Sequence, residues 1–368
     1  MVALQFLTAM LAAPLVLAHP GETAEAVKRE MAMRNIQHAK ATRALGECQN
    51  SAQSLALRRD AAVRRAVKAQ ELRAKRGLSS EQMNHQKRDL TNLEIYANTS
   101  HNQTEALQYT LDSAETTIFG SNNTCALVPE TTIGPYYVTG ESIRSNITEG
   151  QAGIPMHIDI QFVDQNTCLG VDSIAADVWH CNSTGSYSGV AAEGEGGVDS
   201  TFLRGVQISD DSGVVAFDTL FPGHYDDRVT HFHLVVQSNY TTLPNSTYID
   251  GRTLHIGQIY FEDTLVKAVE ETYPYNTNTI AYTTWEEDGW MLEEATTDYD
   301  PFVEYVQLGD KLEDGLLAWI TVALDLNSDH TANVTGGAAA HYYEGGGVAV
   351  ENSDKGLPPS NPNAQTPS

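Results

Sequence analysis

The sequence predicts a mainly β protein: an antiparallel β-sandwich core, preceded by an N-terminal helical segment and followed by a disordered C-terminal tail. Two observations carry this. From Cys125 onward, short runs alternate apolar and polar side chains with a period of two, and Gly, Asn, Asp and Ser separate them, the pattern of strands with one buried face. No helical periodicity intervenes between those runs, which argues for an antiparallel sandwich or barrel.

The first element is "MVALQFLTAMLAAPLVLAHP", an uncharged apolar run that ends in small residues. It is short for a membrane span and lies at the N-terminus, so residues 1–18 read as a signal peptide, although a basic leader is missing. Residues 19–90 form the helical segment. Two stretches between residues 22 and 77 are rich in Ala, Leu, Arg, Lys and Glu, with Ser51 as N-cap of the second and Gly77 as its stop. They read either as an amphipathic hairpin packed on the main domain or as a propeptide released after Lys87-Arg88. A disulfide from Cys48 to the main domain would prevent that release.

Residues 91–330 hold the sandwich. In "MHIDIQFVD", Met156, Ile158, Ile160 and Phe162 share one face, with His157, Asp159 and Gln161 on the other. The runs "IAADVWHC", "VVAFDTLF", "HFHLVVQ", "LHIGQIYF" and "LLAWITVAL" follow. Residues 331–368, rich in Gly, Ala, Pro, Asn and Ser, cannot bury a core and read as a flexible tail.

Composition narrows the compartment and partners. Eight Asn-X-Ser/Thr sequons begin at Asn98, Asn102, Asn122, Asn146, Asn182, Asn239, Asn245 and Asn333, as expected of a secreted glycoprotein. Cys48, Cys125, Cys168 and Cys181 suit two disulfides with three connectivities. A Cys168–Cys181 bond is disfavoured, because a strand between them would hold the sulfurs roughly 30 to 40 Å apart. Of the 22 Lys and Arg, 15 fall before residue 91, leaving 7 against 40 Asp and Glu afterwards. That balance speaks against nucleic acid as a partner, and no stretch after the leader suits a membrane. An oligomer is compatible with the sequence.

The stretch "PGHYDDRVTHFH", residues 222–233, is unusual in this chain. On a strand His231 and His233 point the same way, with Phe232 and Leu234 opposite. A lone His-X-His is more often a pair of packed or surface histidines than a metal site. Tyr225 follows the Gly223 turn, and Tyr187 lies in "WHCNSTGSYSG" after another glycine turn. Each tyrosine alone reads as a core aromatic. Together the four offer two imidazole nitrogens and two phenolates, a set suited to a hard trivalent ion.

The blocks "GPYYVTGESIRSNI", "DVWHCNSTGSYSG", "TFLRGVQISDDSGVVAFDTLFPGHYDDRVTHFH" and "GQIYFED" resemble, in order, those of the intradiol ring-cleavage dioxygenases, especially their secreted fungal relatives. The resemblance covers residues 125–265. It implies Fe(III) held by Tyr187, Tyr225, His231 and His233 on a β-sandwich. The implied substrates are O2 and a small-molecule catechol, cleaved between its hydroxyls to a muconate-type product. It further implies that Tyr225 leaves the metal to take a substrate proton, that Arg228 stabilises developing negative charge, and that Pro135, Tyr136, Gln258 and Tyr260 edge the substrate pocket. Alternation independently puts Gln258 and Tyr260 on one face. Arg228 has a plainer reading as an ion-pair partner of Asp226 or Asp227. His224 is expected at the rim, His180 and Trp179 as packing residues, Arg204 as structural or functional, and Asn182 as an unmodified sequon. The Tyr225–His231 loop is shorter than in bacterial relatives, so ring-substituent preference does not carry over.

Two other classes remain open. One is a catalytically inactive secreted sandwich that binds phenolics or carbohydrate. The other is a cupin-type metalloprotein, which requires a glutamate shortly after the His-X-His, where "HFHLVVQSN" offers only Gln237.

Overall fold

The computed structural model describes residues 36, 39–78, 133–288, 301–334, 337–343 and 346–350. The signal-peptide reading, Lys87-Arg88, Cys125, the sequons at Asn98, Asn102 and Asn122, and residues 351–368 lie outside the described residues.

Residues 39–48 are helical. Helix α1 (Ala52–Lys75) starts where its cap predicts: Ser51 Oγ accepts from Ser54 N at 3.1 Å, satisfying one of the first-turn amides. It stops ahead of Gly77, whose φ of +66° suits a residue without Cβ. The strands are β1 (Val138–Thr139), β2 (Pro155–Asp164), β3 (Ala175–Trp179), β4 (Arg204–Ile208), β5 (Val214–Leu220), β6 (His231–Ser238), β7 (Thr241–Thr242), β8 (Tyr248–Ile249) and β9 (Arg252–Tyr260). Helix α2 (Asp263–Glu270) follows, then β10 (Glu304–Gln307), β11 (Leu316–Leu324), the short helix α3 (Thr331–Val334), β12 (Ala340–Tyr343) and β13 (Gly346–Ala349).

Two four-stranded sheets make the sandwich, ordered β10-β11-β2-β5 and β4-β3-β6-β9. Their inner faces share one core. Met156, Ile158, Ile160 and Phe162 of β2 meet Phe232, Leu234 and Val236 of β6 there, together with Val215, Phe217, Ala176 and Val178. Period-two alternation therefore sends the odd-numbered residues of β6 out of the far side of the second sheet, where the candidate site lies. The second sheet is antiparallel throughout. The first sheet contains one parallel pair, β11 with β2. Alternation assigns faces to a strand without naming its neighbour, and these two lie far enough apart in sequence for the crossover that a parallel pair requires.

The helical segment is docked on the first sheet. Ala62, Ala66, Ala69 and Leu72 of α1 pack against Val306, Leu317 and Trp319, and Arg65 lies 5.3 Å over the Trp319 ring. Asp159, on the β2 face turned away from the core, accepts from Arg64 Nε at 2.8 Å, Arg64 NH2 at 3.0 Å and Arg65 Nε at 3.3 Å. The buried carboxylate thereby gains two cations. A Cys48–Cys168 disulfide, Cα–Cα 5.6 Å, fastens the segment covalently. Cys181 is a buried thiol whose Sγ lies 3.3 Å from Gly223 O.

Order continues past residue 331, where the composition suggested a tail. β12 adds parallel to β1 and antiparallel to β13, forming a three-stranded sheet. Ala338, Ala339 and Ala340 are buried, small side chains that let this backbone lie close to Ile133 and Tyr137. A Cβ on Gly140, at φ +80°, would fall 2.3 Å from Tyr342 O, so the approach requires glycine.

Candidate metal centre

Four side chains from three parts of the chain converge on the outer face of the second sheet. His231 and His233 come from the start of β6. Tyr187 and Tyr225 come from two loops, 182–187 and 222–225, that lie against each other: Gly223 N donates to Asn182 O at 3.2 Å. A Cβ on Gly223 would stand 2.6 Å from Asn182 O, and one on Gly185, at φ +84°, 2.4 Å from His224 O. These glycines let the two tyrosine loops touch. The phenol rings then meet edge to face, with centroids 5.3 Å apart.

The donor atoms form a row. Tyr225 OH is 3.1 Å from His231 Nε2, which is 3.0 Å from His233 Nε2, which is 3.1 Å from Tyr187 OH. His231 Nδ1 donates to Val229 O at 2.6 Å, which leaves Nε2 with its lone pair facing the cluster. The His233 ring stacks on Trp179, its cross-strand partner, at 4.8 Å and an interplanar angle of 1°. Tyr136 stacks on Tyr187 at 4.0 Å and 8°, and meets Tyr225 edge-on at 5.4 Å. Pro135, in the turn before it, is half-buried.

Electrostatics favour neutral imidazoles. Burial, then the charge of Arg228, drives both histidines far below their usual range. Burial, then the proximity of Tyr225, raises Tyr187 well above the phenol range. Tyr225 is pushed up to about 12 by burial, against the pull of Arg228. Without a cation both phenols keep their protons at neutral pH.

The donor set fits a ferric ion. Two phenolates would cancel most of a trivalent charge, and two neutral imidazoles would complete a donor set that a hard ion accepts. Among the described residues, no group of three or more His, Cys, Asp and Glu side chains could hold a metal, so any metal here depends on the tyrosines.

Arg228 stands over this cluster. Its Nε donates to Asp288 Oδ2 at 3.0 Å, its NH1 faces Tyr225 OH at 3.4 Å, and its NH2 donates to Gln258 Oε1 and lies 3.5 Å from Tyr260 OH. The carboxylate partner is Asp288 and neither Asp226 nor Asp227, because Asp227 sits at φ +61° in the turn that carries the chain from Tyr225 to Arg228. Gln258 and Tyr260 pair across strands with His233 and His231, on the shared face that alternation predicted. Tyr260 OH donates to Gln258 Oε1 at 3.0 Å, while Gln258 Nε2 is buried with no hydrogen-bond partner among the described residues.

Other expectations resolve as follows. His224 is buried and packed, with Nδ1 2.8 Å from Glu270 Oε1 and Nε2 3.0 Å from Ile280 O, because the 278–282 segment covers what the sequence suggested was a rim. His180 is packed between Cys181 O and Thr219, each at 2.7 Å. Arg204 is fully buried, donates to Ser188 O and lies 6.0 Å over the Tyr187 ring. Asn182 Oδ1 accepts from Thr184 N, Thr184 Oγ1 and Ser186 N, so its amide is committed to the turn. Sequence reasoning missed Asp288, the Val229 carbonyl and the Trp179 stack on His233. None has a local signal except Trp179, whose place on β3 opposite a His-X-His strand was readable once the pairing was known.

No family model and no curated protein matches the chain. Among solved structures, it is similar to an intradiol ring-cleavage dioxygenase from Tetranychus urticae, at 29% identity over 56% of this chain and 98% of that one, with a TM-score of 0.47. It is also similar to the dioxygenase domain of a dioxygenase carbohydrate-binding protein fusion from Streptomyces sp. SirexAA-E, at 18% identity over 54% and 98%, TM-score 0.34. A third is catechol 1,2-dioxygenase from Acinetobacter sp. ADP1, at 16% identity over 54% and 63%, TM-score 0.36.

Proposed function

We propose that the protein is a secreted Fe(III) dioxygenase that cleaves catechols between their two hydroxyls, inserting both atoms of O2 to give muconate-type products. The observation that supports this most directly is the row of two phenol oxygens and two imidazole nitrogens at spacings of 3.1, 3.0 and 3.1 Å, all on buried residues. Tyr187, Tyr225, His231 and His233 would hold the ion. When bound, ferric iron supplies Lewis acidity that draws electron density from a chelated catecholate, making its ring reactive toward dioxygen.

The chain's own residues do the rest. A catechol must lose two protons to chelate, and Tyr225 Oη would be the acceptor for one of them, since burial raises its proton affinity. Arg228 NH1 and NH2 present positive charge toward Tyr225, Gln258 and Tyr260, and would stabilise anionic charge developing on a substrate ring bound there. Gln258 Nε2 offers a buried donor to a substrate oxygen. Tyr136, lying flat on Tyr187, and Tyr260 are buried aromatics flanking the donor row, and would shield it from water.

Secretion is supported by the leader-like N-terminus and the disulfide. The sequons at Asn146, Asn239, Asn245 and Asn333 are exposed and would carry glycans, whereas Asn182, half-buried with its Nδ2 donating to Gln151 Oε1, would not.

The test is the purified secreted protein, its iron content, its visible spectrum and catechol-dependent oxygen uptake. A phenolate-to-iron absorption band that shifts on adding catechol, with one O2 consumed per catechol, is the expected result. A colourless, iron-free protein from iron-replete expression would instead indicate a sandwich that binds phenolics or carbohydrate without turnover.

A further inference from the structure

We infer that Asp288 is the positioning residue of this site, fixing Arg228 directly and His231 through the Val229 main chain. The inference rests on the proposed function for its catalytic meaning, but its geometry is independent of any metal.

Asp288 is 0% exposed. A single oxygen, Oδ2, receives two donors from adjacent residues, Arg228 Nε at 3.0 Å and Val229 N at 2.9 Å. The carbonyl of that same Val229 accepts from His231 Nδ1 at 2.6 Å. One carboxylate thus ties together the residue that faces the phenol and the backbone that sets the tautomer of an imidazole. With Nε of the planar guanidinium held by Asp288, NH1 and NH2 face Tyr225, Gln258 and Tyr260. That anchor fixes the Nε end of a side chain with four rotatable bonds, which the contacts of NH1 and NH2 alone do not hold.

The carboxylate is itself held. It follows a turn in which Glu287 N and Asp288 N donate to Thr284 O at 3.0 and 3.1 Å, and Glu287 Oε2 accepts from Thr284 N and Oγ1, both at 3.0 Å. Trp285, in the same turn, packs against Val229, Tyr260 and Phe302. The turn is therefore docked on the wall of the site by its tryptophan and aims its last acid inward. Of three consecutive acids, Glu286 and Glu287 remain exposed and only Asp288 reaches Arg228.

The test pairs kinetics with a readout that needs no turnover. In iron-loaded protein, Asp288→Asn is expected to keep its iron stoichiometry and lower kcat/KM roughly 10- to 100-fold, the usual effect of removing an outer partner of a site residue. In an Arg228→Ala background the same change is expected to cost at least about 3-fold less than in the wild type, the remainder acting through Val229 and His231, since residues acting through one another are not additive. Equal losses in both backgrounds, or an Asp288→Asn enzyme within about 2-fold of wild type, would overturn the inference. In metal-free protein, nitrogen-15 NMR should show one slowly exchanging arginine Nε–H that disappears in Arg228→Lys and loses its protection in Asp288→Asn. An Arg228 Nε–H that exchanges freely in the wild type refutes the inference even if the variant fails to fold. A wild type that binds no iron and consumes no oxygen refutes the proposed activity alone, and the NMR result then decides the role of Asp288.

Discussion

His231 and His233 face each other through their Nε2 atoms across 3.0 Å, each with a phenol oxygen 3.1 Å away on its outer side. Without a metal, His233 Nε2 can donate to His231 Nε2 at that distance; a cation shared with the phenols would engage both lone pairs instead. Replacing His231 with Ala, or Tyr187 with Phe, is expected to reduce bound iron to below about a tenth of stoichiometric in the first case and to alter or abolish the visible band in the second, read by metal analysis and absorption.

Iron uptake should also depend steeply on pH. Burial holds Tyr187 far above, and Tyr225 at about 12, so both phenols are protonated at neutral pH and must release their protons to bind. With two protons released per ion, apparent affinity falls about 100-fold for each unit of acidification between pH 8 and 6. Competition with a chelator of known proton stoichiometry measures the slope, and a slope near zero would mean that the phenols are not ligands.

Arg228 faces the donor row through Tyr225 without being part of it. Arg228→Ala is expected to leave iron content unchanged and lower kcat/KM by roughly 10²- to 10³-fold, the scale of losing one preorganised donor to developing charge. Lysine should not restore the rate, because it cannot serve Asp288, Gln258 and Tyr225 from one planar group.

The docking of α1 has an acid limit. Burial alone would raise the Asp159 carboxyl, but Arg65 and Arg64 overcome this and hold it below the usual carboxylate range. A carboxyl depressed in the folded state stabilises fully above its unfolded value of about 4, and that contribution disappears as pH falls through the folded value. Asp159→Asn is expected to cost about 3 kcal/mol at pH 7, since Arg65 is left buried beside a neutral partner, and less at pH 3. Urea unfolding at the two pH values tests this.

Cys48 and Cys168 close a long loop with a sequence separation of 120. Replacing both with Ala is expected to lower stability by about 4 to 5 kcal/mol, on the chain-entropy view of cross-links. Cleavage after Lys87-Arg88 should leave the N-terminal fragment attached until a reductant is added, which gel electrophoresis with and without thiol would show directly.

Much of this protein follows from local rules that a single sequence states openly. Side chains two apart on a strand share a face, so His231 with His233, and Gln258 with Tyr260, were paired before any fold was known. A serine followed by helix formers, and a glycine after them, set both ends of α1. What only the tertiary structure decided depends on contacts between distant segments. Nothing near Asp159 says that arginines from α1 will neutralise it, and nothing in 286–288 says which acid turns inward. Strand neighbours such as β2 and β11, and the sheet formed by β1, β12 and β13, likewise depend on total burial across the molecule. A carboxylate is stable in the interior only where a cation is already held to meet it, and for Asp288 that cation comes from a residue 60 positions earlier in the chain.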